Sequence, residues 1–500
     1  MHNGTAAPAA GNGAAGAAAV SPAAPVRPAG AGASADTGAS ASPGASASPG
    51  ASASAGSGAG TDVGTGADLS AATPLEPAAG RLTTLQGAAL YTGAVLGTGV
   101  IALPALADAM AGPASILAWL GLAILSAPLA ATFAALGARY PDAGGVATFA
   151  RLAFGDTAAA IVGWCFYFSI PLGAPAAALW AGGYISAALN GGTTTTAVAA
   201  VVVTVAVAGA NAFGVQVTGR IQAVLGGLLT IFLLAAVVLS LPDAKSANLH
   251  PFAPHGWLAV GHAATLLVWC FVGWEAVTHL TAEFRKPSRD VPRATAIAVV
   301  LVAAMYLAVA FAVIAVLGSS AANTKAPLAD LLVVGVGGDA RYPAAAAAVL
   351  LTVGTMNVYY AGAAKLGAAL GRDGALPAWL AVGSERGEVP RRSLAVISIL
   401  SIIALAIAIA AGTSSGPLVL LTTGLFVAVY AVGVAAAIRL LPRHSRARAA
   451  AIAALAAVVV LLVVSGIYLL CPVVVTAGAL LYRRYGQRRT RSRTDTDDPS

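Results

Sequence analysis

Two short stretches hold the residues whose types and spacing could do chemistry. The first, "YTGAVLGTGVIALP" (91–104), contains GTGVIA, a literal match to the G-x-G-x-x-G/A loop that cradles the phosphates of a dinucleotide. The second, "LLVWCFVGWEAVTHLTAE" (266–283), sets Glu275 in an apolar run beside Gly273, where a carboxyl can exchange a proton. Phosphate binding needs a preceding strand and an acidic residue about 20 positions on. Here the glycines lie inside an apolar segment running from about Gln86 to Asp108, and the region that should hold the acid reads "AWLGLAIL" (118–125). The dinucleotide reading therefore fails on context.

The elements that carry these stretches are membrane spans. The chain has 500 residues, 58% of them hydrophobic and 9% charged, with a mean hydropathy of +0.83. A soluble domain carries roughly 25% charged residues. Apolar runs of about 20 residues, enough to cross a bilayer, recur along it. Twelve are predicted, at 86–108, 113–138, 156–182, 194–213, 219–241, 258–282, 294–317, 343–369, 392–411, 416–439, 448–464 and 466–482. The last two are separated only by "SG".

Charge placement gives the expected orientation. With the N-terminus inside, 24 of the 27 basic residues fall on the cytoplasmic side, leaving Lys245, Lys325 and Arg341 outside. Cytoplasmic loops should hold this excess. The formal charge of +8 is then a topology signal facing anionic membrane lipid and implies no nucleic acid. Residues 1–80 are a different material, rich in Ala, Gly, Ser and Pro with the near-repeat "GASASPGASASPGASASAGSGAG". Such a composition cannot build a core and is expected to be disordered, and it lacks the plan of a secretory signal. The expected divisions are this tail, a transporter core over 81–441, two extra helices over 442–484 and a cytoplasmic tail over 485–500.

Other candidates are weaker. Cys165, Cys270 and Cys471 lie in apolar spans without disulfide or metal spacing, and His250, His255 and His262 match no standard metal site. No metal and no cofactor is expected. "PDAGG" (141–145) reads as a structural turn between spans two and three. Thr352, Thr355, Asn357, Tyr359, Thr422 and Thr423 are polar enough to line a cavity, and helix–helix hydrogen bonds explain them equally well.

The glycines then need another explanation, because each costs about 1 kcal/mol in a helix interior relative to alanine. Gly93 and Gly97 form a G-x-x-x-G that suits a packing seam. Gly99 points off that stripe, and Thr98 sits between the two glycines. Glu275 costs about 2.5–3.5 kcal/mol at membrane depth. Gly97 and Gly273 fall in spans one and six, corresponding places in two five-span halves. Glycine-interrupted spans at matching positions point to the site of an inverted-repeat transporter.

"GTGVIALP", "RYPDAGGVATFARLAFG" (139–155) and "WCFVGWEAVTHLTAEFRKPSRDVPRA" (269–294) together resemble the amino acid–polyamine–organocation permeases over about residues 82–485. Within that superfamily the chain is most similar to bacterial exporters of methionine and branched-chain amino acids. The resemblance implies an all-α integral membrane protein of about twelve transmembrane helices, a five-plus-five inverted-repeat core plus two C-terminal helices. It implies a substrate carboxylate on the backbone of Gly97, Thr98 and Gly99. The ammonium would face carbonyls of Val95, Trp269 and Val272, with Trp269 and Phe271 shaping or capping the pocket. Glu275 matches an acid tied to proton handling in some relatives, with H+ as the coupling ion. His279, one turn on, is expected to be a packed residue rather than a relay.

The expectation is a plasma-membrane secondary carrier of small neutral amino acids, not an enzyme. Another amino acid or amine as substrate, and an amino-acid sensor that moves nothing, are the alternatives. The sequence offers no folded signalling domain to such a sensor and no nucleophile–base set to an enzyme. It leaves open the exact substrate, direction, coupling and oligomeric state.

Overall fold

The computed structural model describes residues 82–140, 145–214, 219–275, 278, 281, 284–383, 388–412 and 414–494. The tail assigned to residues 1–80, most of the "PDAGG" turn and His279 lie outside the described residues. Every regular element among those described is helical; extended pairing is confined to a single bridge between Leu82 and Phe284.

The first span is two helices, α1 (Thr84–Leu96) and α2 (Leu103–Ala111). Thr83 starts α1 with a capping box: its hydroxyl accepts from Gln86 N, and the Gln86 side chain accepts from Thr83 N at 3.1 Å. Then follow α3 (Ser115–Arg139), α4 (Gly145–Phe154), α5 (Asp156–Ala188), α6 (Thr193–Ala212) and α7 (Gly219–Ser240). The sixth span begins as α8 (Leu258–Leu267), tightens to a 3₁₀ turn over Val268–Phe271 and breaks at Val272–Glu275. Next come α9 (Pro287–Ala312), α10 (Pro327–Val336), α11 (Arg341–Arg372), α12 (Arg391–Ala410), α13 (Gly416–Leu440), α14 (Arg446–Ser465) and α15 (Leu470–Thr494).

Nine segments among the described residues are long and apolar enough to cross a membrane. The twelve expected spans reconcile with them in three places. The second half of the broken first span, α2, is counted together with α3 while α1 is too short to qualify, the broken sixth is likewise too short, and α14 and α15 join through Gly466 into one segment. The short helices α4 and α10 fall between expected spans.

Burial separates lipid face from protein core. On α6, Val198, Val201, Val202 and Val205 are exposed, and on α7 so are Val224, Leu228, Ile231, Leu234 and Val238. Apolar stripes of this extent belong against hydrocarbon rather than water. By contrast α5 is buried along most of its 33 residues and packs on α6, α11, α12 and α13. The glycine stripe of α1 divides into two uses. Gly93 is a seam: a Cβ on Gly226 of α7 would come within 3.0 Å of the Gly93 Cα. Gly97, with φ +37°, ends the helix.

A cavity between two broken helices

Regular α-helical hydrogen bonding stops at Leu96 and resumes at Leu103, so the first span is unwound where Gly97, Thr98 and Gly99 stand. Gly273, with φ +126°, breaks the sixth span beside it; a Cβ there would lie 3.1 Å from the Ala94 carbonyl oxygen. Only glycine fits this combination of left-handed backbone and close approach.

Breaking helices inside a membrane frees backbone groups that must find partners. Buried phenols meet much of that need. The Tyr306 hydroxyl lies 2.7 Å from both the Val95 and Cys270 carbonyls, bridging the two breaks. It carries one proton, so it donates to one of them at a time. Tyr184 donates to the Ile101 carbonyl at 2.7 Å and accepts from Leu328 N at 3.2 Å. Tyr430 of α13 donates to Glu275 Oε2 at 2.6 Å, and the same oxygen accepts from Gly273 N at 3.0 Å. Glu275 is 2% exposed and thus sits inside the protein at the break.

The two breaks wall a cavity. Val95, Gly97, Thr98, Gly99, Trp269 and Val272 all line it. Phe271 does not; it packs edge-on to Tyr306 at 5.3 Å and near Trp119 at 6.4 Å. Among the carbonyls expected to meet an ammonium, Val95 O is within reach of Tyr306, and Trp269 O accepts from Val272 N at 3.2 Å. A carbonyl has two lone pairs, so both keep acceptor capacity. Of the other polar candidates, Thr355, Tyr359 and Thr422 line the cavity, whereas Thr352, Asn357 and Thr423 are buried away from it. The described lining carries no charged side chain; Ile170, Ala174, Ala177, Met356 and Phe426 make much of it apolar.

Trp269 closes one end. Its indole is clasped by two glycines: a Cβ on Gly99 would meet Cδ1 at 2.6 Å, and one on Gly173 would meet Cη2 at 2.9 Å. Beyond it stands Trp180, edge-on with centroids 5.5 Å apart. At the N-terminal end of α1, the Phe284 ring sits over Gly87, where a Cβ would come within 2.2 Å. Arg285 N donates to Leu82 O at 3.1 Å, tying the start of the first span to the chain after the sixth.

Tyr306 and Tyr430 were missed by the sequence reading. Their signal is a lone phenol within an apolar span, whose polar tip requires a partner. His250, His255 and His262 are all exposed.

A family profile described as amino acid permease matches residues 82–482. The uncharacterized amino acid permease YecA of Bacillus subtilis is 32% identical over 406 residues, 81% of this chain and 95% of the relative. The L-methionine/branched-chain amino acid exporter YjeH of Escherichia coli is 39% identical over 223 residues, covering 44% of this chain and 53% of the relative. The branched-chain amino acid permease BcaP of Bacillus subtilis is 24% identical over 238 residues, 44% and 51% of the two chains. With the match spanning nearly all of the described helices, the chain belongs to the amino acid permease family.

Proposed function

We propose that this multi-pass membrane permease is a secondary carrier of small neutral amino acids that works by alternating access, with both termini cytoplasmic. The observation that carries the reading is the cavity at the two breaks, lined by apolar side chains and backbone with no charged residue among those described. A cationic or acidic substrate side chain would be desolvated there without a partner. The α-carboxylate would rest on the unwound Gly97–Gly99 segment, where a helix break presents N–H groups to an anion. The apolar wall would take the side chain, and Trp269 would cover it.

Methionine and the branched-chain amino acids are the substrates that fit this wall, in keeping with the name of the Escherichia coli relative. Glu275 is the proposed proton site and efflux the proposed direction. Counterflow in proteoliposomes tests the reading: preloaded L-methionine or L-leucine should drive uptake of the labelled amino acid, whereas L-lysine and L-glutamate should not. Equal counterflow by the charged amino acids would refute it.

A further inference from the structure

A second cavity lies on the other side of the Trp180–Trp269 pair. Its wall comes from α2, α5, the start of α6, the segment before α10 and the α12–α13 connection. Trp180 forms its floor, pinned by a 2.8 Å hydrogen bond from Nε1 to Ser415 Oγ. This cavity differs in chemistry from the first. Lys325 lines it, together with the hydroxyl residues Thr193, Thr196 and Ser414.

Lys325 forms no ion pair with any described residue. Asp330, the acid nearest to it in sequence, accepts the Thr324 hydroxyl instead. Of the 27 basic residues, Lys325 is one of three placed outside by the proposed orientation. Lys325 is exposed at this recess, and an ammonium without an ion-pair partner beside hydroxyl groups suits a carboxylate. Leu179 and Ile409 supply apolar surface for what the carboxylate carries.

We propose that this recess is a second binding site, in which Lys325 holds the carboxylate of an amino acid on the outer side of Trp180 and Trp269. The proposal rests on the carrier reading for its ligand class and for which side is outer. Lys325 fixes the carboxylate, the hydroxyls complete its hydrogen bonds, and the two indoles separate this station from the central cavity.

The test uses the full-length protein carrying Ala197→Cys, a lining position with no part in holding the carboxylate, alkylated by a neutral thiol reagent and read against the protein without the new cysteine. L-leucine and 4-methylpentanoate, which keeps the carboxylate but lacks the ammonium, should each slow labelling about threefold at twice their dissociation constant. The amine 3-methylbutylamine should give no protection. Lys325→Gln should abolish the protection, and Lys325→Arg should keep it. The site is overturned if the amine or chloride protects as well as the acid, or if protection survives Lys325→Gln. Counterflow by the wild type reads the carrier reading separately: no L-leucine counterflow with the protection pattern intact refutes the carrier and leaves the site standing.

Discussion

Tyr430 on α13 and Glu275 in the break of the sixth span share a 2.6 Å hydrogen bond, and Glu275 uses the same oxygen to accept from Gly273 N. The carboxylate therefore joins the tenth span to the backbone of the sixth at the point where that helix fails. A change in its protonation alters what both partners can donate to. This arrangement gives a carboxyl at membrane depth a route to the cavity wall without lining the cavity itself.

The first prediction follows from that link. Glu275→Gln keeps size and hydrogen bonding but cannot carry a proton. Accumulation of L-leucine driven by a pH gradient should collapse in proteoliposomes, while exchange at equal concentrations persists. Undiminished gradient-driven accumulation in this variant would make the acid structural.

Tyr430→Phe separates the hydrogen bond from the ring, whose packing near Phe133 and Phe426 at 5.6 and 6.5 Å is retained. A hydrogen bond to a charged group is worth about 1.5–3 kcal/mol. Gradient-driven transport should fall about tenfold, equivalent to about 1.4 kcal/mol. L-leucine exchange should change less, since the central cavity does not include Tyr430. Wild-type rates in both assays would remove Tyr430 from the coupling path.

Gly99 tests the central cavity. Even a methyl group there meets Trp269 Cδ1 at 2.6 Å and Cys270 Sγ at 2.7 Å. Gly99→Leu should abolish L-leucine binding measured by calorimetry, and Gly99→Ala should weaken it by displacing the indole. Size-exclusion profiles should show both proteins folded. Near-normal affinity in the leucine variant would leave Gly99 as packing alone.

Tyr306→Phe removes the hydroxyl shared by Val95 and Cys270. An unsatisfied buried acceptor costs about 1–3 kcal/mol. The detergent-solubilised variant should melt at a lower temperature than wild type, and added L-leucine should recover part of the loss by binding the folded state. Unchanged melting would mean that water replaces the phenol.

Orientation is read by labelling in intact cells. A cysteine at Ser320, exposed in the 3₁₀ turn between α9 and α10, should react with a membrane-impermeant reagent. One at Arg289 in the first turn of α9 should react only after lysis. The reverse pattern would invert the topology.

The spans were legible because apolar runs and basic loops are properties of composition, which survive any packing arrangement. The breaks were legible because Gly97, Gly99 and Gly273 oppose helix propensity within otherwise helical segments. Partitioning the glycines required neighbours: Gly93 is a seam only because Gly226 faces it. Phe271 could be mistaken for a cavity residue because aromatics two residues apart in a 3₁₀ turn point in different directions, and of the two only Trp269 lines the cavity. Tyr306 reaches Val95 across 211 residues of chain and Tyr430 reaches Glu275 across 155, separations no local pattern records. The short helix α4 buries one side and α10 buries its N-terminal half, and the length of both falls below that of a crossing segment.

The division of the first span has an energetic consequence. α1 is fastened to α7 through Gly93, and α2 packs instead on α8. Between them lie residues 97–102, which hold no continuous α-helical ladder. Tilting one half against the other would therefore sacrifice none of the α-helical hydrogen bonds that an intact rod would have to break. The enthalpic toll of turnover should fall instead on withdrawing the Phe284 ring from its socket over Gly87. An Arrhenius plot of L-leucine exchange should flatten in Phe284→Leu; an unaltered slope would place the barrier elsewhere.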